Sequence, residues 1–492
     1  MNKQHLLKPL FTLLLLLGVV GASAQDFYKN SIGYKINSTS NLTVTVVEGT
    51  GAKGDVIMPD YVTYNNKEYR VTIIGENAFH NNQDLTSIIL PDDVTSIEKY
   101  AFKGCKSLTS VTLPEGLEYI RPNAFQSCKS LTSINLPESL TSIAMWAFDG
   151  CSSLTSITLP ESLTTLTQQA FQNCTSLTSI TIPKKVTTIS QEVFYGCTGL
   201  TSITISEGVK TIEERAFKGC SSLTSITIPK SVSSIGFGVS AGCTSLNTII
   251  VAEGNTIFDS RGGCNAIIET NSNTLIAGCA TTIIPESVTS IGSHAFSGHT
   301  SLTSITIPKS VTSIGWYAFC GCSSLSSITI PESVTSIGME AFEECSSLTS
   351  ITIPEGVTNI EMGAFFHCSS LTTIVLPSTL IFIDQLAFAG CPEQIDVYCY
   401  AEIVPTACLD VFPDLYSYKS TLHVPTSALE SYKTTEPWCY FGTIVPLANE
   451  DTSVEQMTID NSPLVIYDLS GRRVENPEKG IYIVNGKKVA IK

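Results

Sequence analysis

Positive charge, long apolar stretches and histidine are what this chain has least of. Its 28 Lys and Arg stand against 44 Asp and Glu, a formal net charge of -16. Nucleic acid and anionic membrane surfaces call for the opposite sign, so neither is an expected partner. Past the first 25 residues no run of about 20 apolar residues is available to cross a bilayer, so no transmembrane segment is expected. The six histidines, His5, His80, His294, His299, His367 and His423, share no metal-ligand spacing. No serine sits in a nucleophile elbow, and Gly262-Gly263 lacks both the Lys-Ser/Thr and the strand–helix frame of a phosphate loop. A hydrolase would have to assemble dispersed carboxylates; no catalytic set, cofactor or metal is expected, and the chain reads as a binding protein rather than an enzyme.

What is present begins with a leader. Lys3 and Lys8 precede the apolar run from Leu10 to Gly21, which closes on Ala22-Ser23-Ala24. That is the pattern of a signal peptide over residues 1–24, with cleavage before Gln25. The expectation is an exported protein, at the outer-membrane surface or extracellular.

Seventeen cysteines in an exported chain suggest disulfides, but eleven of them keep a fixed interval. Cys105, Cys128, Cys151, Cys174, Cys197, Cys220 and Cys243 are spaced 23 residues apart, as are Cys322, Cys345, Cys368 and Cys391. The interval marks a repeat. One unit reads Cys151-Ser-Ser-Leu154-Thr-Ser-Ile157-Thr-Leu159-Pro160-Glu-Ser-Leu163-Thr-Thr-Leu166, then Ala170-Phe171. Counting from Cys as zero, Leu recurs at +3, aliphatic residues at +6, +8, +12 and +15, and an Ala-Phe pair ends the unit. About thirteen such units fit between residues 77 and 391.

Aliphatic +6 and +8 alternate with Ser/Thr at +5 and +7, the period of a short strand with one face inward. Strands of successive units stack in parallel about 4.8 Å apart, and Pro at +9 ends each one because it cannot donate to the ladder. A second extended piece covers +12 to +15, and a short helical turn is expected to carry the Ala-Phe pair. Each coil closes around apolar side chains worth roughly 1.5–3 kcal/mol each when fully buried, against a chain entropy of similar size, so neighbours supply the cohesion. The fold class is a repeat solenoid: 23-residue units, a parallel β-sheet on one face, short helical turns, and small β-rich or mixed caps. The cysteine column fits a small thiol packed in a turn. Vertical disulfides are geometrically conceivable, whereas a line of identical residues does not make the tetrahedral cluster that zinc requires. Asn82 and His299 take the cysteine position in two units.

The lattice breaks once, between Cys243 and His299, where Ser240 also replaces Phe. An insertion at about 253–284 contains two strand-like pieces around Asn271-Ser-Asn273, which suggests a hairpin at the surface, flanked by Cys264 and Cys279 as a pair placed for a local disulfide. Residues 25–76 read as a β-rich N-terminal cap, 392–448 as a C-terminal cap with a helix near 426–434, and 449–463 as a polar linker. Residues 464–492 carry a hairpin signal at Asn485-Gly486 and form either a small β module or a sorting signal.

The pattern C-x-x-L-x-x-I-x-(I/L)-P-x-x-(V/L)-x-x-I-x-x-x-A-F resembles the BspA-like, or Treponema-type, leucine-rich-repeat family over residues 70–391. The stretch from Asn255 to Glu269 is similar to an insertion common in members from gut Bacteroidetes. Asp468-Leu-Ser-Gly471-Arg472-Arg473 with Lys479-Gly480-Ile-Tyr482 resembles C-terminal signals for export across the outer membrane. The resemblance implies a cell-surface or secreted protein associated with adhesion, and it supplies no catalytic residues.

Two surfaces are candidates for binding a protein or glycan macromolecule. One is the hydroxyl lattice of the strands, including Ser110, Ser133, Thr158, Thr181, Thr204 and Thr227, which also fits a plain solvated strand. The other is the turn edge, where Tyr100, Trp146, His294, Trp316 and Tyr317 occupy variable positions as interface anchors, as sugar-stacking platforms, or simply as packing for the next turn.

Overall fold

The computed structural model describes residues 26–412 and 419–447, and the backbone of three further strands. The leader, the linker and most of the tail lie outside the described residues. Ile466–Asp468, Gly480–Val484 and Lys487–Ile491 make a separate antiparallel sheet.

Alternation of Ser/Thr with Ile makes the first ladder. Ser179–Ile182 lies parallel to Ser202–Ile205, with Ser179 opposite Ser202 and Thr181 opposite Thr204. The buried aliphatic residues of each strand face their equivalents one coil along, as a stack of 23-residue coils demands. The second ladder is shorter per coil: Ser96–Ile97, Tyr119–Ile120, Ser142–Ile143 and Thr165–Leu166 pair in sequence.

The phenylalanines stand in single file. Phe79, Phe102, Phe125, Phe148 and Phe171 are fully buried, and successive ring centroids lie 4.9, 5.2, 5.3 and 5.3 Å apart with near-parallel planes. A second file runs from Phe296 to Phe388 and continues to Phe412, 5.5 Å beyond.

Where a short helical turn is expected, the coil makes a run of tight turns. Tyr100 (φ 62) and Gly104 (φ 74) are left-handed, and so are their equivalents in the other units. A helix cannot pass through such residues. Amides here alternate between two destinations. Ala101, Lys103 and Cys105 donate to Glu98, Tyr100 and Phe102 of their own coil, while Tyr100, Phe102 and Gly104 donate to Pro122, Ala124 and Gln126 of the next. The edge is thereby stitched lengthwise without a helix or strand.

All eleven lattice cysteines are unbridged thiols. Each donates to the carbonyl of the Phe one coil back, from Cys105 to Phe79 at 3.0 Å to Cys391 to Phe365 at 3.6 Å. Burial pushes the Cys105, Cys197 and Cys243 thiols up to about 12. Asn82 does more in the same place: its Nδ2 donates to Gly49 and Ala52, and its Oδ1 accepts from Asp84 and Leu85. His299 is buried with neither ring nitrogen hydrogen-bonded.

The hairpin expected around Asn271-Ser-Asn273 is present, Ile267–Glu269 against Thr274–Ala277, but it is an integral part of the wall rather than an addition on the surface. Phe258–Asp259, Ile267–Glu269 and Thr274–Ala277 form an antiparallel meander whose last strand pairs in parallel with Ser290–Ile291. The chain's beginning has the same topology: Phe27–Lys29, Ile32–Ser38 and Thr43–Glu48 form a meander whose last strand pairs in parallel with Lys67–Ile74. After each meander a glycine amide enters the turn edge, Gly49 donating to Ala78 and Gly278 to Ala295. A Cβ at either glycine would overlap the first Phe ring of its file, Phe79 or Phe296. Ile267, Ala277 and Cys279 pack with the preceding core, and Ile268 and Leu275 with the following one. Cys264 and Cys279 stay unbridged; the thiol of Cys279 lies 3.5 Å from the Asn265 carbonyl.

Past Cys391 the sequence loses its period but the first ladder continues through Asp396–Cys399, Thr421–Val424 and Thr443–Pro446. Leu429–Thr434 is the one α-helix among the described residues, and Trp438 beneath it donates from Nε1 to Pro405 at 2.8 Å. No described helix is long and apolar enough to cross a membrane.

Candidate binding surfaces

The strand hydroxyls divide into two sets with different fates. Thr at +4 is used by the fold: Thr109, Thr155, Thr178 and Thr201 each donate to the backbone carbonyl of the equivalent residue one coil back, at 2.8–3.3 Å. Thr at +13 does likewise, as in Thr141 to Glu118 and Thr335 to Thr312. The outward columns at +5 and +7 are mostly left unused; at +5 only Ser87, which donates to Asp55, and Thr248, which donates to Asn247, have side-chain partners among the described residues. Ser110, Ser133, Thr158, Thr181, Thr204 and Thr227 are all exposed, and none of their side-chain hydroxyls has a hydrogen-bond partner within the described protein. Sequence periodicity separates inward from outward positions but cannot rank one Thr column against another; that distinction comes from the reach of each Oγ1 to the coil behind it.

On this face, just after the interruption, strand pairing lapses. Thr303–Ile307 and Ser326–Ile330 stay unpaired along most of their length, and a shallow groove of about 770 Å³ opens over Ser304, Ile305, Thr306, Ser327, Ile328 and Thr329, with Lys309 and Glu332 at its end. Ile305 and Ile328 are half-buried in its floor. The sequence gives no warning of this groove, because these coils follow the consensus.

The turn edge holds the aromatic candidates. Trp316 is 61% exposed; Tyr100, Trp146, His294 and Tyr317 are half-buried. Four of the five sit in the left-handed region: Tyr100 (φ 62), Trp146 (φ 56), His294 (φ 58) and Tyr317 (φ 56). An L-residue there costs roughly 1–2 kcal/mol, and the equivalent position is Asn at 77 and 123 and Gly at 238. The structure groups three of these candidates and leaves two apart. His294 stacks on Tyr317 at 4.7 Å and on Phe237 at 5.4 Å, with the Arg215 guanidinium 5.4 Å from the Phe237 ring centroid. Burial, with Arg215 and Lys218 nearby, holds His294 down to about 4, so it is neutral at physiological pH. Trp316 adjoins Tyr317. Tyr100 stands elsewhere, with Lys99 and Lys103 at 4.7 and 4.9 Å from its ring centroid. Trp146 is in a third place. Sequence reasoning misses Phe237, which precedes Gly238 at a variable position and meets His294 only across the interruption.

Among the described residues no group of three or more His, Cys, Asp or Glu is placed to hold a metal ion. The parallel ladders, the thiol column and the buried Phe files define a leucine-rich-repeat solenoid, a fold of binding scaffolds rather than enzymes. The family model of the BspA type leucine rich repeat region matches residues 72–199, 164–262 and 266–394, and the chain belongs to that family.

Among solved structures, the chain is similar to a leucine rich cell surface protein from Faecalibacterium prausnitzii A2-165, at 31% identity over 75% of this chain and 93% of that one, with a TM-score of 0.59. It is similar to a leucine-rich repeat protein from Bacteroides ovatus ATCC 8483, at 25% identity over 86% and 100% of the two chains, with a TM-score of 0.50. The pneumococcal vaccine antigen PcpA shares the fold at 19% identity and a TM-score of 0.52, over 85% of this chain and 98% of that one. No curated protein matches.

Proposed function

We propose that this protein is a surface or secreted adhesion module that holds a macromolecule along the hydroxyl face of its first ladder. The observation that carries this reading is the division of hydroxyls: the +4 and +13 columns are used between coils, while exposed +5 and +7 hydroxyls such as Ser110, Ser133, Thr158, Thr181, Thr204 and Thr227 keep both donor and acceptor capacity. The groove at Ser304–Thr329 is where an extended ligand gains apolar contact as well as hydrogen bonds. The cell-surface description of the Faecalibacterium relative supports the location, and the leader and the sorting-type tail support export to the outer surface.

Pull-down with matrix proteins and a glycan array, using wild type and the groove pair Thr306→Val with Thr329→Val, test the reading. The expected result is a captured protein lost at least tenfold in the pair with unchanged thermal stability; capture indifferent to the pair rejects this face. A second reading, glycan capture for nutrition, is favoured by the exposed Trp316 ring; selective sugar binding lost in Trp146→Ala or Trp316→Ala would establish it instead.

A further inference from the structure

The stretch of turn edge beyond the interruption has a chemistry unlike the rest. Trp316, Met339 and Met362 occupy the same position in three successive coils, which are joined by hydrogen bonds from the Tyr317 amide to the Met339 carbonyl and from the Glu340 amide to the Met362 carbonyl, both 3.0 Å. Trp316 is exposed, and its Cδ1 comes within 2.6 Å of where a Cβ on Gly338 of the next coil would stand. Met339 and Met362 are half-buried beside it. Soft thioethers and an open indole make an adaptable apolar strip.

Carboxylates border this strip. Glu340, Glu343 and Glu344 come from one coil and Glu361 from the next, and none of them forms an ion pair among the described residues. Elsewhere on the edge acids do find cations, as Glu192 finds Arg215 at 3.6 Å and Glu98 finds Arg121 at 3.9 Å. Burial and contact with Glu340 raise the Glu343 carboxyl to about 7, the response of a carboxyl group with no cation near it.

We propose that the turn edge around Trp316, Met339, Glu340, Glu344, Glu361 and Met362 is a docking surface for a basic polypeptide segment. This site is separate from the hydroxyl face and shares with it only the premise that the protein binds macromolecules. Arginine suits both parts: its guanidinium stacks on an indole face and pairs with a carboxylate by two parallel hydrogen bonds, which a neutral sugar cannot do. The overall charge of -16 draws such a partner in.

Titration of the full-length protein with a capped deca-arginine peptide, read by tryptophan fluorescence and calorimetry, tests the site. Saturable binding is expected, weakened at least tenfold by Trp316→Ala and by Glu340→Gln with Glu344→Gln. The charge-matched pair Glu207→Gln with Glu253→Gln, on the opposite turns, should leave it within twofold. Melting temperatures should not move, which separates lost contacts from lost structure. Equal weakening by the control pair would reduce the attraction to net charge and overturn the proposal. So would binding indifferent to Trp316→Ala, capture of neutral glycans by Trp316 in place of the peptide, or self-association in sedimentation that Glu340→Gln with Glu344→Gln abolishes. The Thr306→Val with Thr329→Val pair leaves deca-arginine binding intact, so failure of either surface does not decide the other.

Discussion

At the scale of single residues, the thiol column shows how a repeat satisfies a buried carbonyl with little: a small side chain with one weak donor reaches the Phe oxygen one coil back. His299 breaks that rule. It is buried and unpartnered between coils that carry Cys243 and Cys322, and burial holds it down to about 4, below its ordinary value near 6.5. The unfolded chain therefore takes up a proton that the folded chain refuses. Stability should be insensitive to this residue above pH 6.5 and fall as pH drops from 6.5 toward 4, by at most about 1.4 kcal/mol per pH unit. His294 is depressed in the same direction and adds a similar slope. His299→Asn, which copies the well-bonded Asn82, should remove this residue's own share of the pH dependence between pH 6.5 and 5, at most about 1.4 kcal/mol per pH unit, from the unfolding free energy in denaturant titrations. An unchanged slope would mean that His299 does not fold in its neutral form.

At the scale of elements, the two antiparallel meanders do one job. A coil at the start of a solenoid has no predecessor to pair with, and a meander supplies a ready-made strand edge for the first parallel partner. The interruption repeats this in mid-chain, with Gly278 in the role of Gly49. Arg261 fastens the meander: its guanidinium reaches Asp259 at 2.7 Å, Asn273 at 2.8 Å and Ser287 at 3.2 Å. Gly278→Val forces a branched side chain into the space of the Phe296 ring. Overpacking of this kind costs about 1–3 kcal/mol, so a clear fall in melting temperature is expected in differential scanning calorimetry. Because Phe296 heads the second file, the coils after it should lose protection first.

At the scale of the whole solenoid, cohesion is between neighbours, and the meander divides the apolar interior into two cores. A defect should thus stay in its own block. Phe342→Ala removes one ring from the second file, where burial of this size is worth about 3–5 kcal/mol. Hydrogen exchange by mass spectrometry should show faster exchange over residues 296–412 and little change over 79–217. Uniform loss of protection along the chain would mean that the solenoid unfolds as one unit.

The repeat, its parallel strands, the single file of Phe and the inward and outward faces follow from the 23-residue interval alone, because a side chain that recurs at that interval meets its equivalent wherever the coils stack. Interval and alternation do not report backbone handedness, so the turn edge reads as helical although residues such as Tyr100 and Trp146 bend left. They do not report pairing across an interruption either, so the hairpin can be read but not its place in the wall, and past Cys391 strands can be read but not their continuation of the first ladder once the interval fades. The candidate surfaces divide the same way. Which hydroxyls face outward is written in the order of residues; which of them are already committed to a neighbouring carbonyl, and which carboxylates stand beside Trp316 without a cation, was decided only when the coils came within hydrogen-bonding reach of one another.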